Sequence, residues 1–211
     1  MTTADVLRQL ESLGVATIYE ASGRKGLVEA DLIQVIPSSR AAGPARTVSC
    51  GQGDNRAVHA AMAAVQPGEV LVVTMPTPAP VALVGELLAT QAKAHGAVAL
   101  LVDAAVRDAE ELRGLGLPVW CRWIRATGAT KTQRGQLDAV VEVGGAKIAP
   151  GDIVVLDADG AVAIDQTSVD DVLQSSVARL QKEDANRRRF ETGELSYDMY
   201  GMRAEDQTAG G

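Results

Sequence analysis

Apolar positions recur along this chain at two periods, and the change of period marks its elements. Over residues 3–13, Val6, Leu7, Leu10 and Leu13 fall on one stripe of a helix. Gly14 follows, and glycine commonly closes a helix by adopting a left-handed conformation. A second short helix is expected over 16–21, ended by Gly23. Residues 32–36 and 45–50 read as strands separated by a loop with Pro and Gly. Asp54 is placed to cap a helix running to residue 64, because a carboxylate accepts from the orphan amides of a first turn. After the Pro67-Gly68 turn, EVLVVTM (69–75) is a buried strand; 84–95 is a helix that Gly96 ends. AVALLV (97–102) is apolar on both faces, as in a sheet covered on both sides. A helical turn is expected over 108–112, broken by Gly114 and Gly116, and then a strand over 118–124. The texture changes at Asp138. Short strands at 139–143, 146–148, 153–156 and 161–164 are joined by turns at Gly144-Gly145, Pro150-Gly151 and Asp159-Gly160. A long helix over 168–190 ends in a charged stretch, and 204–211 is expected to be a frayed or disordered tail. Alternating helices and strands, then a run of strands, then a helix, predict a layered α/β domain.

Composition narrows the class. A chain of 211 residues makes one domain, or one with an appendage. Aromatics are only 3%, so Val, Leu, Ile and Ala must fill the core. Acidic residues outnumber basic ones 27 to 20, and the net charge of −7 argues against nonspecific nucleic-acid binding. Apolar runs are far shorter than the ~20 residues of a membrane span. The N-terminus lacks the basic and apolar regions of a signal peptide, so a soluble, cytoplasmic protein is expected. Cys50 and Cys121 make no disulfide framework and fit no zinc spacing. With His59 and His95 the only histidines, a bound metal would take oxygen ligands, which favour Mg²⁺ or Mn²⁺.

Chemistry-bearing residues gather past the middle strands. Arg107-Asp108 follows the 97–102 strand, and α/β sheets bind ligands outside the carboxyl ends of their strands. Arg offers a planar fork for a carboxylate, and Asp a hard oxygen for Mg²⁺. The same pair also reads as a solvated Arg and a capping Asp at a helix start. Gly85-Glu86-Leu87-Leu88 opens a helix whose free amides suit a small carboxylate, though Glu86 there also fits a first-turn acid that favours the helix dipole. If the connections leaving the two strands are neighbours, Glu86, Arg107 and Asp108 meet at one end of the sheet. Lys131 suits an anion or plain solvation; Gly51-Gln52-Gly53 is too short for a nucleotide loop.

The stretch GELLATQAKAHG (85–96) followed by LLVDAAVRDAEELRGLGLPVW (100–120) resembles the RraA-like family. The shared pattern is an acid, twenty residues, then Arg-Asp, met here by Glu86 and Arg107-Asp108. IYEASGRKGL (18–27), GDNRAVHAA (53–61), PVWCRWIRATGATK (118–131) and GELSYDMYGMR (193–203) extend the likeness to nearly the whole chain. They point to its class II pyruvate aldolases, which cleave 4-hydroxy-4-methyl-2-oxoglutarate and 4-carboxy-4-hydroxy-2-oxoadipate.

The resemblance implies a three-layer β/β/α fold of the swivelling phosphohistidine-domain type, with residues 1–203 forming one domain that ends in a C-terminal helical extension. It implies that Asp108 holds Mg²⁺ or Mn²⁺, that Arg107 binds the pyruvyl unit and its enolate, and that Glu86 orients a water in a proton relay. Gly85 and the amides of Leu87 and Leu88 would grip the substrate carboxylate, with His59 close by. A glutamate borrowed from a neighbouring subunit would join the metal: Glu183, or else Glu194. The site would then need a homotrimer or homohexamer. Oxaloacetate decarboxylation is expected as a side activity, since it passes through the same enolate. The proline-rich 77–81 loop and Arg122-Trp123 depart from the pattern, which puts the substrate in question before the mechanism. A regulator of ribonuclease E, or an enzyme acting on another 2-oxo acid, would share the scaffold.

Overall fold

Short Val- and Leu-rich segments bounded by Gly and Pro turns build the sheet that organises the chain. In the computed structural model, which describes residues 2–209, the elements begin with a kinked helix α1 (Thr3–Ala21) and strands β1 (Ile33–Gln34) and β2 (Ala41–Ser49). Then come α2 (Arg56–Ala61), β3 (Val70–Thr74), β4 (Ala82–Val84), α3 (Glu86–Ala94), β5 (Ala99–Val106), α4 (Ala109–Leu115) and β6 (Val119–Ile124). The second half holds β7 (Gln136–Leu137), β8 (Val141–Val143), β9 (Ala146–Ile148), β10 (Ile153–Asp157), β11 (Gly160–Ile164), α5 (Val169–Glu191), α6 (Ser196–Met199) and α7 (Met202–Ala209).

The main sheet runs β1-β6-β5-β3-β2-β10-β11, with β4 paired to β5 and β7 to β2. β2, β3, β5 and β6 are parallel, and β1, β10 and β11 pair antiparallel at the two sides. Every residue of β3 and β5 is buried, because both faces are covered. On one face α2, α3 and α4 pack through Val58, Ala61, Leu88, Ala92 and Leu112. On the other, the β8–β9 hairpin and β10 close over Val70, Val72, Leu101 and Trp120. A helical layer, a sheet and a smaller β layer form the expected three-layer arrangement. α1 and α5 share a third cluster, with Leu10, Ile18 and Leu173 packed against Val155 and Val162.

The break at Gly14 falls where the sequence places it. Its φ of 79° and ψ of 167° lie outside the helical region, and a Cβ there would sit 2.7 Å from Asp157 Oδ2, which accepts from the Val15 amide at 2.9 Å. The observed elements differ from the sequence reading in several places, among them the start of β2 at Ala41, the unexpected β7 and the run of α4 through Gly114. Residues 82–84 form strand β4, and the following helix begins at Glu86, not at residue 84. β5 continues past residue 102 to Val106, because Asp103 is buried inside it by an ion pair with Arg122, Nε to Oδ1 at 2.6 Å. α2 is a six-residue helix with Asn55, not Asp54, at its N-cap. Residues 204–209 lie in helix α7, whereas the rest of the expected tail, residues 210 and 211, falls outside the described residues. α5 buries Val172, Leu173 and Ser176 in its first half only. Among the described residues no helix is long and apolar enough to cross a membrane.

Candidate active site

Strand register creates the site. β4 pairs with the far half of β5, with Val84 opposite Val106, so the residues that leave the two strands, Gly85 and Arg107, emerge side by side. The Arg107 amide donates to Val84 O at 3.1 Å and ties the two exits together. Gly85 is the N-cap of α3 and has no side chain to take the amides of Leu87 and Leu88, which leaves that helix terminus open to an anion. Its φ of −132° suits any residue; it is space that requires glycine here. A Cβ would lie 2.5 Å from Asp108 Oδ2 and 3.1 Å from both Cγ and Nε of Arg107.

Asp108 adopts φ 59° and ψ 47°, the left-handed region, where a residue other than glycine carries a strain of about 1 kcal/mol. That conformation turns its carboxylate back toward α3. Oδ2 accepts from the Glu86 amide at 3.1 Å and lies 3.5 Å from Arg107 Nε. Oδ1 meets no protein donor among the described residues. A single free carboxylate oxygen fits Mg²⁺, which keeps most of its waters and needs only one or two protein carboxylates. Among the described residues no group of three or more His, Cys, Asp or Glu could hold a metal ion, so one chain alone supplies no cage.

A cleft of about 190 Å³ joins these groups: His59, Gly85, Leu87, Leu88, Arg107 and Asp108, all singled out in the sequence, line it together. Arg107 and Asp108 also border a more open depression beside Arg125. Two expected residues stand apart. The Glu86 carboxylate is not on the cleft wall and accepts from the Thr90 hydroxyl at 2.7 Å, although its amide holds Asp108. Glu183 lies on α5, in an ion pair with Arg179 at 2.8 Å, outside this cleft. The alternative, Glu194, is paired with Arg189. Arg122 and residues 77–81 likewise do not line it; Arg122 turns to Asp103, and the amide of Thr77 donates to Gln52.

The cleft also holds residues the sequence did not single out as a group, Asn55 and Lys131 among them. Asn55 is buried, its Nδ2 donates to Leu83 O at 2.9 Å, and its Oδ1 has no partner among the described residues. The sequence marks Lys131 only as a cation suited to an anion or to solvation; what brings it to the cleft is long-range. Buried Asp54 accepts from Thr130 Oγ1 at 2.6 Å and from the amides of Thr132 at 2.6 Å, Gln133 at 3.2 Å and Arg56 at 2.9 Å. Burial pushes the Asp54 carboxyl up, but these hydrogen bonds outweigh it and hold the group well below the usual carboxylate range.

Comparison with known proteins decides the lineage. The family model for RraA-like proteins (Aldolase/RraA) matches residues 15–163. The chain belongs to the RraA-like family. A family member from Halalkalibacterium halodurans, named provisionally as a 4-hydroxy-4-methyl-2-oxoglutarate aldolase, is 29% identical over 196 residues, covering 93% of each chain. The structure of Streptomyces coelicolor RraAS2, described as an unusual member of the RNase ES inhibitor RraA family, is 28% identical. It covers 88% of this chain and 97% of its own, with a TM-score of 0.77. The RNA-processing inhibitor RraA from Thermus thermophilus is 28% identical, covering 66% and 82%, with a TM-score of 0.59. The RraA-like match takes in all the expected cleft residues and stops before α5.

Proposed function

We propose that this RraA-like protein is a divalent-metal-dependent class II pyruvate aldolase. It cleaves 4-hydroxy-2-oxo acids of the 4-carboxy-4-hydroxy-2-oxoadipate type to pyruvate and a second 2-oxo acid, and it decarboxylates oxaloacetate as a side activity. The observation that carries this reading is the pairing of Val84 with Val106, which brings the open α3 terminus, Arg107 and Asp108 onto one cleft. The aldolase name of the Halalkalibacterium relative supports it.

The Leu87 and Leu88 amides receive the C1 carboxylate. The Arg107 guanidinium faces the C2 oxygen. A base removes the C4-hydroxyl proton, the C3–C4 bond breaks, and C4 becomes a carbonyl as the electron pair moves onto the C2 oxygen. Protonation at C3 then completes the pyruvate methyl group. Arg107 acts because it stands where negative charge develops, and a fixed cation there favours the transition state over the ground state. When bound at Asp108, Mg²⁺ or Mn²⁺ supplies Lewis-acid stabilisation of the same oxygen. Glu86, through a water, and His59 are the candidates for moving the proton. Glu183 of a neighbouring copy completes the site in a homotrimer or homohexamer. Exposed Phe190, Leu195, Tyr200 and Met202 beyond the core support contact with such a copy.

Pyruvate release with Mg²⁺, coupled to lactate dehydrogenase, tests the reading with 4-carboxy-4-hydroxy-2-oxoadipate, 4-hydroxy-4-methyl-2-oxoglutarate and oxaloacetate. Release that chelator and Arg107→Ala both abolish supports it; no release by the folded wild type overturns it. The likeness to the two inhibitor structures favours a second reading, a non-catalytic regulator of ribonuclease E. Capture of ribonuclease E by a chain that releases no pyruvate would establish that one.

A further inference from the structure

Lys131 reaches the cleft from a loop held by two isolated β-bridges, Gly128 with Ala82 and Thr130 with Asp54, and the described residues offer it no carboxylate partner. The residues on either side of it are both fastened to Asp54. Thr130 Oγ1 donates to Asp54 Oδ2 at 2.6 Å, and Thr132 donates to the same oxygen through its amide at 2.6 Å and its hydroxyl at 3.1 Å. The Gln133 amide adds a fourth donor at 3.2 Å. The backbone repeats the tie, with Asn55 N to Thr130 O and Thr130 N to Gly53 O each at 2.9 Å. Further along the loop, Ala82 N donates to Thr127 O at 2.7 Å, and a Cβ on Gly128 would lie 3.1 Å from Arg107 Nη1. The loop is therefore held to Ala82 of β4 at one end, close beside Arg107, and to Asp54 at the other. Lys131 sits at the clamped end as an unpaired cation on the wall of a cleft whose floor already holds Arg107 and an open helix terminus.

We propose that Asp54 is a positioning residue: its buried carboxylate fixes the 130–133 loop so that Lys131 meets the second anionic group of a bound 2-oxo acid, and Asp54 influences ligand binding only through Lys131. The proposal rests on the cleft being the 2-oxo-acid site but not on which reaction occurs there. A carboxylate that merely supported the fold would behave differently. Its loss would lower stability and weaken all ligands alike, whatever residue stood at 131.

A double-mutant cycle on binding separates the two cases. Calorimetry in Mg²⁺ buffer would measure 2-oxoglutarate, which carries a second carboxylate, and 2-oxobutyrate, which does not. The wild type is expected to prefer 2-oxoglutarate. Lys131→Ala and Asp54→Ala should each weaken 2-oxoglutarate by about 10-fold and leave 2-oxobutyrate within about 2-fold. The double variant should bind 2-oxoglutarate no more weakly than Lys131→Ala alone. Thr130→Val, which removes a single donor to Asp54, should give part of the effect, and Thr130→Ser should restore wild-type binding. That pair reads the clamp even if Asp54→Ala fails to fold. Losses that add in the double variant, or equal weakening of both ligands by Thr130→Val, would overturn the proposal. An intact cycle in a chain that releases no pyruvate would uphold it and refute only the aldolase reading.

Discussion

Under the proposed function, Gly85→Ala should separate catalysis from folding. The added Cβ would stand 2.5 Å from Asp108 Oδ2, whereas ordinary contact begins at 3.4 Å, so the carboxylate must retreat by about 0.9 Å. Arg107, approached to 3.1 Å at Cγ and Nε, must give by a few tenths of an ångström. The backbone raises no objection, since φ −132° and ψ −174° are open to alanine. The Asp108 side chain is 40% exposed and has room to move outward. Folding free energy should therefore change by less than about 1 kcal/mol, with the lower chain entropy of unfolded alanine offsetting part of the crowding. Catalysis has no such latitude. In that mechanism, displacing the carboxylate that would hold the metal by about 1 Å should cost on the order of 100-fold in rate, about 2.7 kcal/mol of transition-state stabilisation. The assay is kcat/KM for pyruvate release beside a denaturant-unfolding curve on the same preparation. A variant with wild-type stability and a rate down about 100-fold is expected. A rate within about threefold of wild type would refute the claim that Asp108 and Arg107 must stay against Gly85.

Asp108→Asn keeps a residue that tolerates the left-handed conformation and still accepts from the Glu86 amide. It should fold as well as wild type yet lose Mg²⁺ binding, measured by calorimetry. Burial pushes the thiols of Cys50 and Cys121 up to about 12, so neither should react with a disulfide reagent at pH 8 until the chain is unfolded, when both should. The Asp54 carboxyl is held below its usual range, so the stability it contributes is complete above about pH 4 and is lost as the pH falls from there toward its folded value. Asp54→Asn should accordingly be less stable than wild type at pH 7, and the gap between their unfolding curves should narrow as the pH falls below about 4.

Much of the candidate site was legible in the sequence because the residues that line it leave consecutive strands. The acid-to-Arg-Asp spacing is one helix plus one strand, α3 and β5, and register does the rest. What stayed hidden depends on distant partners. Residues 82–84 form too short an apolar run to be told from a helix start, and they become a strand only because the far half of β5 offers an edge. Asp103 interrupts an apolar run as a turn would, and its burial is made tolerable by Arg122 nineteen residues on. Asp54 carries the local signature of a cap, yet its carboxylate is spent chiefly on a loop 76 to 79 residues away. The place of Lys131 on the cleft wall follows from the ties of its neighbours Thr130 and Thr132 to Asp54, a partner the local sequence does not announce.

Enolate formation is the heart of the account, and proton exchange into pyruvate reads it without regard to the natural substrate. An enzyme that stabilises the pyruvate enolate must also form it from pyruvate, and in D₂O the methyl protons then exchange. Proton NMR of pyruvate with the wild type and Mg²⁺ should show the methyl signal decaying, with no decay in chelator and none with Arg107→Ala. A methyl signal that persists with folded, Mg²⁺-bound wild type, or that decays equally with Arg107→Ala, would contradict the account.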